Sequence, residues 1–292
     1  MTRGKIIRGV GGFYYVHTGG GTILTCRARG LFRKNGVKPL VGDWAEVEES
    51  AVPDGEANVV RIFPRKNALI RPAVSNVDLV IPVQAVRTPD PQLYLLDQYL
   101  VNMEKQDLPA ALLFTKADLD RDGALAHLTA IYRSAGYRVL AVSAETGEGI
   151  DALRDLIRGK TAVLAGPSGA GKSTLTNLLC PLASMATGEL SRKISRGKQT
   201  TRHAELFPVE EGTYLLDTPG FTSVFVDAEA DELRLLFPEM REREGSCRFT
   251  GCRHLTEPGC AVKRDLAGGL IARERYESYQ KLMKELSERR QY

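Results

Sequence analysis

A nine-residue segment near the middle of the chain combines glycines, a lysine and hydroxyl side chains in the order used by polyphosphate-binding loops. It consists of Gly166, Pro167, Ser168, Gly169, Ala170, Gly171, Lys172, Ser173 and Thr174. The glycines let backbone N–H groups turn towards phosphate oxygens, Lys172 neutralises the β and γ oxygens, and the Ser173 hydroxyl can ligate Mg²⁺. An apolar run at residues 161–165 precedes the segment, and a periodic leucine pattern follows it. The order of strand, glycine-rich loop and helix therefore predicts a P-loop that binds a nucleoside triphosphate.

Two short motifs before the P-loop contain the residues needed to recognise a guanine base. Thr115, Lys116 and Asp118 form T-K-x-D, close to the N-K-x-D element with which GTPases read guanine. The Asp118 carboxylate can accept hydrogen bonds from the guanine N1–H and exocyclic amine, whereas adenine would leave it unsatisfied. Ser143 and Ala144 resemble the S-A element, in which a backbone N–H reaches the guanine O6. These motifs favour GTP over ATP.

Motifs after the P-loop could complete a site for Mg²⁺ and the γ-phosphate. Asp217 begins a D-T-P-G sequence, in which its carboxylate holds Mg²⁺ through water and the Gly220 N–H faces the γ-phosphate. Either Thr200 or Thr201 could supply the hydroxyl that completes the Mg²⁺ shell. His203 follows closely, and it either aligns the attacking water or is a strand-edge histidine. The predicted catalytic residues are Lys172, Asp217, Gly220 and His203.

The order of these motifs along the chain is unusual. Each follows a predicted strand, and the carboxyl ends of parallel strands form the edge where ligands bind. An ordinary GTPase has its P-loop first and its guanine-reading motifs last, whereas here the guanine motifs come first, which indicates a circular permutation. On these motifs the chain resembles the ribosome small-subunit-dependent GTPase A family of bacteria, the RsgA type. The resemblance covers nearly the whole chain, and it implies GTP and GDP as ligands and the small (30S) ribosomal subunit, with its rRNA, as partner in late assembly.

The residue after the D-T-P-G motif sets an expectation for catalysis. Phe221 stands where Ras-like GTPases carry the glutamine that orients the attacking water, and an apolar side chain cannot do this. We therefore expect slow hydrolysis by the protein alone, with stimulation by a partner that orders the switch region or supplies a polar group. The resemblance implies that this partner is the small ribosomal subunit. Gly169 stands where some glutamine-less GTPases carry an asparagine that helps to hold K⁺, so potassium dependence stays open.

Three cysteines and a histidine cluster near the C-terminus. Cys247, Cys252, His254 and Cys260 follow the pattern C-x4-C-x-H-x5-C. Three thiolates and an imidazole predict a closed tetrahedral site for one structural Zn²⁺, because no coordination position is left for catalysis. The alternative is a chance cluster of reduced cysteines. The spacing also matches an element of the resembled family, and the sequence leaves open whether this module binds RNA or protein.

The N-terminal segment is basic and predicts a small barrel. Between residues 1 and 66 it carries 11 Lys and Arg against six Asp and Glu. Alternating patterns at residues 13–16, 22–26, 43–47 and 59–62 predict short strands. The cations and the aromatic residue between the second and third of these strands suit RNA phosphates and a stacked base; they are Arg27, Arg29, Phe32, Arg33 and Lys34. The alternative is a solvated loop with Phe32 folded into the barrel. The resembled family has an OB-fold here, which acts on rRNA.

These features predict an α/β protein with three parts. They are an OB-type RNA-binding barrel at residues 1–66, a circularly permuted P-loop GTPase domain at 67–225 and a helical zinc-binding module at 226–292. The sequence contains no run of the ~18 apolar residues that a membrane span needs. We expect a soluble, cytoplasmic and monomeric protein. Within the barrel, Trp44 is expected to be a buried aromatic residue, and His17 a surface residue without a role.

Two other functions compete with this interpretation. The P-loop sequence closely resembles that of guanylate kinases, which suggests a nucleoside monophosphate kinase. Such kinases begin near their P-loop, however, and they use neither a T-K-x-D motif nor a zinc module. The second alternative is an RNA-binding ATPase, which Thr115 in place of the usual asparagine would allow. Asp118 nevertheless favours guanine recognition, and therefore a GTPase, over this alternative.

Overall fold

The computed structural model describes residues 1–28, 32, 37–49, 55–69, 73–180, 204–217 and 225–289. The chain forms two compact units. The first comprises Met1–Leu79, Arg154–Ala165 and Lys172–Pro219, and the second comprises Val80–Leu153, Gly166–Gly171 and Gly220–Tyr292. Among the described residues, no helix is long and apolar enough to cross a membrane.

The described elements alternate between strands and helices after an N-terminal run of strands. The strands are β1 (Thr2–Val10), β2 (Phe13–Thr18), β3 (Ile23–Ala28), β4 (Trp44–Glu48), β5 (Ala57–Ile62), β6 (Ala68–Leu69), β7 (Val74–Ser75), β8 (Leu79–Ala85), β9 (Ala111–Thr115), β10 (Arg138–Ala141), β11 (Thr161–Ala165), β12 (Leu206–Glu210) and β13 (Thr213–Asp217). The helices are α1 (Leu93–Lys105), α2 (Ala124–Ser134), α3 (Ile150–Ile157), α4 (Lys172–Leu179), α5 (Pro238–Arg241), α6 (Ala261–Ala267) and α7 (Arg273–Arg289).

The first unit begins with a closed five-stranded barrel in the strand order β1-β2-β3-β5-β4. Its interior is filled by small and branched apolar side chains, namely Ile6, Val16, Cys26, Ala45, Val47, Ala57 and Val59. Strands β1 and β2 approach closely at Gly4, where a Cβ atom would lie 2.5 Å from a methyl carbon of Val16. The sequence patterns did not predict β1, because Gly4 and Lys5 interrupt the apolar alternation on which strand prediction depends.

A buried carboxylate fixes the segment that leaves the barrel. Asp43 is fully buried and accepts hydrogen bonds from Arg65 Nε and Nη2, at 2.7 and 2.8 Å. Ser75 Oγ also donates to Asp43, at 2.6 Å. A buried charge is tolerated only when it is paired and hydrogen-bonded. Asp43 therefore ties β7 and the residues around Arg65 to the barrel.

Besides the short pair of β6 and β7, the same unit contains strands in the order β11-β13-β12. β11 and β13 are parallel, with Thr161 opposite Tyr214 and Leu164 opposite Asp217. All five residues of β11 are buried, as expected for a parallel strand that is covered on both faces. The carboxyl ends of β11 and β13 therefore lie side by side.

The second unit contains the parallel strands β10-β9-β8 and a helical C-terminal module. Strand β8 is buried along its whole length. Apolar residues of α1 and α2 pack on these strands, with Leu96, Leu100, Phe114, Ile131 and Tyr132 among the core residues. In the C-terminal module, α5 and α7 share a second core that includes Phe237, Met240, Tyr279 and Met283.

A buried ionic cluster joins the C-terminal helix to α1 and α5. Arg275 of α7 is 1% exposed and donates to Asp97 Oδ1 at 2.6 Å and to Glu239 Oε1 and Oε2 at 2.7 and 3.0 Å. Both carboxylates are also buried. Burial raises the pKa of Asp97, and the Arg275 guanidinium opposes this shift. The cation is thus what allows two carboxylates to remain in this core.

Removing that cation should strongly destabilise the protein. We expect Arg275→Ala to lower the free energy of unfolding by about 3–5 kcal/mol, because it leaves two carboxylates buried without their partner. Urea unfolding measures the change. The matched control is Arg273→Ala, an exposed arginine of the same helix, for which a change within about 0.5 kcal/mol is expected. Equal unfolding midpoints for the two variants would contradict the assignment.

Candidate nucleotide site and cysteine–histidine cluster

The predicted guanine-reading residues of the second unit lie together at the carboxyl ends of β9 and β10. Asp118 lies in a short turn directly after β9, and its Oδ1 accepts a hydrogen bond of 2.5 Å from Ser143 Oγ. The Ser143 side chain is fully buried, and its Oγ also accepts from the Thr146 N–H at 3.1 Å. The Asp118 side chain is exposed, and Ser143 restricts the orientation of its carboxylate. Ala144, the next residue, is exposed.

Thr115 connects the guanine motif to the P-loop. Its buried hydroxyl donates to the Ala170 carbonyl oxygen at 2.7 Å, and its Oγ1 lies 3.5 Å from the position of a Cβ atom on Gly171. Lys116 has a left-handed backbone, and its Nζ donates to the Thr88 carbonyl oxygen. Although threonine replaces the usual asparagine, a side-chain hydrogen bond from this position still braces the loop.

A close backbone contact requires glycine at position 166, and a left-handed backbone favours it at position 169. A Cβ atom on Gly166 would lie 2.2 Å from the Val83 carbonyl oxygen of β8, so no other residue fits there. Gly169 has a φ of +79°, and a Cβ atom would meet the Pro89 ring at 3.4 Å. Ser168 and Gly169 are exposed, whereas Gly166, Pro167 and Ala170 are buried. The loop therefore presents its central residues to solvent while its ends are fixed.

In the first unit, Lys172 begins α4 and is 7% exposed. Thr176 Oγ1 donates to the Lys172 carbonyl oxygen at 3.0 Å, and buried leucines anchor the helix. Ser173 and Thr174 are exposed in the first turn, where N–H groups and the helix dipole favour an anion. Asp217 is the last residue of β13, next to the end of β11, which leads into the P-loop. β13 therefore ends at the start of the D-T-P-G sequence, with Asp217 opposite Leu164 of β11.

Several predicted residues lie outside the described part of the chain. Thr200, Thr201, His203, Gly220 and Phe221 all belong to this set, and of Asp217 only the backbone is described. Arg29, Arg33 and Lys34 of the barrel segment also lie outside the described residues. Their functional roles remain predictions.

The barrel residues that are described show two different environments. Arg27 is exposed, stacks over the Phe13 ring with its guanidinium carbon 4.5 Å from the centroid, and pairs with Glu56. Phe32 is half-buried and packs against the barrel core, which is the alternative that the sequence had left open.

Sequence reasoning missed one polar cluster of the first unit, which contains Lys5, His17 and Trp44. His17 is not a free surface residue, because its Nδ1 lies 3.0 Å from the Tyr214 hydroxyl. Trp44 is half-buried under two cations, with the Arg3 guanidinium carbon 4.8 Å and Lys5 Nζ 5.0 Å from its ring centroid. No local pattern predicts these contacts, since Lys5 and His17 both meet residues far along the chain.

The structure brings Cys247, Cys252, His254 and Cys260 together. One ligand atom from each lies within 4.8 Å of the others. His254 Nδ1 is 3.6 Å from Cys247 Sγ and 3.4 Å from Cys260 Sγ, and the two sulfur atoms are 4.0 Å apart. Zn–S bonds of about 2.3 Å in a tetrahedron place ligand atoms roughly 3.5–4 Å apart. The four side chains therefore fit one tetrahedral metal ion.

The protein around this cluster holds the ligand loop in place. Tyr276 donates its hydroxyl to the His254 carbonyl oxygen at 2.7 Å, and Tyr279 donates to Arg253 O at 2.6 Å. Burial raises the pKa of Cys252 to about 12, so a nearby cation is needed for it to be a thiolate. The remaining cysteines, Cys26 and Cys180, are each buried away from this cluster.

Comparison with known proteins identifies the family. The RsgA GTPase profile matches residues 62–227, and the RsgA N-terminal domain profile matches residues 3–56. A protein of Agathobacter rectalis named small ribosomal subunit biogenesis GTPase RsgA is 47% identical over 99% of both chains. A protein of the same name from Caldanaerobacter subterraneus subsp. tengcongensis is 44% identical over 98% of this chain and 96% of its own.

Two solved structures agree with these matches. YloQ, described as a circularly permuted GTPase, has a TM-score of 0.78 and 37% identity, covering 99% of this chain and 96% of its own. YjeQ from Thermotoga maritima has a TM-score of 0.78 and 34% identity, covering 98% of both chains. The motif order, the barrel and these likenesses agree, and the chain belongs to the RsgA family of circularly permuted GTPases.

Proposed function

We propose that this GTPase binds GTP with Mg²⁺ and couples its hydrolysis to late assembly of the small ribosomal subunit through rRNA. The observation that carries the proposal is the Asp118 carboxylate, held by Ser143 beside a P-loop that Thr115 braces. A carboxylate oriented in this way discriminates guanine, which has two donors to offer it, from adenine. The curated relatives are named for small ribosomal subunit biogenesis, which supports the partner.

A nucleoside monophosphate kinase is disfavoured. The sequence similarity spans essentially the entire chain, including the barrel and the C-terminal module, and the solved relative YloQ is a circularly permuted GTPase. A kinase would need a second nucleotide site and would have no use for the barrel. The guanine-reading pair of Asp118 and Ser143 also disfavours an RNA-binding ATPase.

The residues predicted to contact the phosphates, Mg²⁺ and water have separate roles in this proposal. Lys172 would neutralise the β and γ oxygens, and Ser173, either Thr200 or Thr201, and Asp217 through water would hold Mg²⁺. The Gly220 N–H stabilises the γ-phosphate, and His203 orients water. Mg²⁺ would neutralise charge that develops on the phosphates. Because Phe221 cannot orient water, hydrolysis is slow until the small subunit orders the switch region.

The domain arrangement follows from these roles. In the proposal, residues 1–66 bind rRNA, residues 67–225 bind and hydrolyse GTP, and residues 226–292 form the metal module. One Zn²⁺ per chain occupies the cysteine–histidine cluster as a structural ion, held by Cys247, Cys252, His254 and Cys260. The protein acts as a monomer in the cytoplasm.

Hydrolysis rates test the central proposal. GTP and ATP hydrolysis should be measured with and without purified small ribosomal subunits. We expect slow GTP hydrolysis by the protein alone, stimulation by subunits, and little ATP hydrolysis in either case. GTP and ATP hydrolysed at equal rates, or subunits without effect, would overturn it.

Asp118→Asn should change the preferred base. The substitution replaces one acceptor with a donor, so GTP affinity should fall by about 2–4 kcal/mol, while xanthine nucleotides should become preferred. Competition binding with GTP and XTP measures the switch. The exposed Asp151→Asn is the matched control and should keep GTP preference. Unchanged GTP selectivity in Asp118→Asn would refute the role of this carboxylate.

The zinc assignment predicts a loss of metal without a loss of nucleotide binding. Replacing Cys247, Cys252 and Cys260 together by serine should abolish bound zinc, and Cys252→Ser alone should lower it. Elemental analysis of the purified protein gives the zinc content, and GTP binding should stay near normal because the ligands lie outside the nucleotide motifs. Cys26→Ala is the control that should retain the metal. Stoichiometric zinc in the triple variant would show that the ion lies elsewhere.

The basic loop predicts salt-dependent subunit binding. Neutralising Arg27, Arg29, Arg33 and Lys34 should weaken binding and reduce the slope of log affinity against log salt by about three, the value for four lost phosphate contacts. Intrinsic hydrolysis should not change, since these residues lie outside the nucleotide motifs, and this is the internal control. Stimulated hydrolysis should fall below saturating subunit concentrations. An unchanged slope would show that the loop is only a solvated surface.

A further inference from the structure

A lysine of the barrel is buried against two strands of the GTPase fold within the first unit. Lys5 of β1 is 3% exposed, and its Nζ donates a hydrogen bond to Thr161 Oγ1 at the start of β11. The same Nζ lies 4.7 Å from the ring centroid of Tyr214 in β13 and 5.0 Å from that of Trp44 in β4. The ammonium is therefore held between two aromatic faces, one from the barrel and one from the GTPase fold.

Further polar groups surround this ammonium. The Asp78 carboxylate attracts it, accepts from the Thr161 N–H at 2.9 Å and pairs with Lys66 at 2.8 Å. His17 Nδ1 lies 3.0 Å from the Tyr214 hydroxyl. Burial lowers the pKa of Lys5 to about 8, although Asp78 opposes the shift. A cation buried in this way is stable only while its partners remain in place.

The position of these contacts along the strands gives them a functional consequence. Thr161 and Tyr214 face each other in the parallel pair of β11 and β13. The first strand leads into the P-loop after Ala165, and the second ends at Asp217. At about 3.3 Å per residue, Lys5 touches both strands roughly 10–15 Å from the ends that carry the nucleotide motifs. A displacement of one strand against the other would pull Thr161 and Tyr214 apart around the ammonium.

We propose that Lys5 is a positioning residue that couples the barrel to the nucleotide state, because its ammonium holds the barrel jointly on β11 and β13. The coupling rests on the proposed function. It is reciprocal: if the bound nucleotide changes the fit of the barrel to RNA, RNA on the barrel changes the preference for GTP over GDP by the same factor. Loss of the ammonium leaves the barrel and the nucleotide motifs intact, but nucleotide binding then no longer affects the barrel, and RNA on the barrel no longer affects nucleotide preference.

The protein contains a natural reporter of this junction, since Trp44 is the only tryptophan in the chain. Its emission should be measured with saturating Mg²⁺–GDP and with a non-hydrolysable GTP analogue, while a labelled nucleotide measures binding separately. We expect the two nucleotides to give different emission in the unmodified protein. In Lys5→Met the difference should fall at least fivefold, with both affinities changed less than twofold. Lys5→Arg, which keeps the cation, should restore part of it.

Two further variants separate coupling from folding. Lys38→Met removes an exposed barrel lysine and should leave the difference intact. Thr161→Val keeps the shape of the side chain but removes the oxygen that Lys5 contacts. It should therefore reduce the difference in Trp44 emission between the two nucleotides, and it tests the contact even if Lys5→Met folds poorly. With saturating small subunits, stimulated hydrolysis by Lys5→Met should fall about tenfold, while intrinsic hydrolysis stays the same.

The coupling should also depend on pH. As the pH rises through about 8, Lys5 loses its proton and with it the attraction to both rings and to Asp78. Of the groups around it, burial lowers the pKa of His17 and raises the pKa of Tyr214, so both shifts lead away from the pH range in which Lys5 titrates. The other charged groups there are Lys66, which pairs with Asp78, Arg3, which lies over the Trp44 ring, and Glu211, which acts on Tyr214. The nucleotide-dependent emission should therefore decline in this range, but not in Lys5→Arg.

The outcomes distinguish this inference from the proposed function. If the unmodified protein binds both nucleotides but Trp44 emission is the same, or if Lys5→Met keeps the full difference, the coupling through Lys5 is wrong while the GTPase function stands. If the labelled nucleotide does not bind at all, the proposed function fails, and the coupling fails with it.

Discussion

Buried charges must be paired, and in this protein the paired charges lie where separate segments of the chain meet. Asp43 joins the barrel to the residues around Arg65, Lys5 joins it to β11 and β13, and Arg275 joins the C-terminal helix to α1. Apolar packing tolerates small shifts, because dispersion contacts are numerous and non-directional. A buried ion loses its compensation when a partner moves by an ångström or two. The charged groups therefore fix the geometry of each junction more narrowly than the surrounding apolar core.

The circular permutation makes such junctions necessary. The barrel and the C-terminal module lie at the two ends of the chain, whereas the P-loop lies near its middle, so the elements that each module contacts are far from it in sequence. Lys5 and Thr161 are 156 residues apart, and Arg275 and Asp97 are 178 apart. Contacts between such distant residues are what connect the flanking modules with the nucleotide-binding fold.

This separation also explains what the sequence could and could not predict. The P-loop, the T-K-x-D motif and the cysteine–histidine cluster are local patterns, in which the spacing itself indicates the chemistry. The structure brings the three cysteines and the histidine together as predicted. The burial of Lys5 and the hydrogen bond between His17 and Tyr214 depend on partners that are distant in sequence, so no local pattern predicts them. The sequence leaves two environments open for Phe32 for a similar reason. An aromatic residue among cations suits base stacking, whereas its packing against the barrel core depends on the closed fold.

Thr115 replaces the asparagine of the N-K-x-D motif, and the substitution changes which contacts this position can make. An asparagine side chain has two donors and an acceptor, so it can brace the P-loop and also contact the base, whereas threonine has a single O–H donor. In this structure that donor is used on the Ala170 carbonyl oxygen, at 2.7 Å, which keeps the brace. Nothing from Thr115 is then left to donate to a base. In the proposed function, base recognition by side chains then falls to Asp118, whose carboxylate is held by the fully buried Ser143.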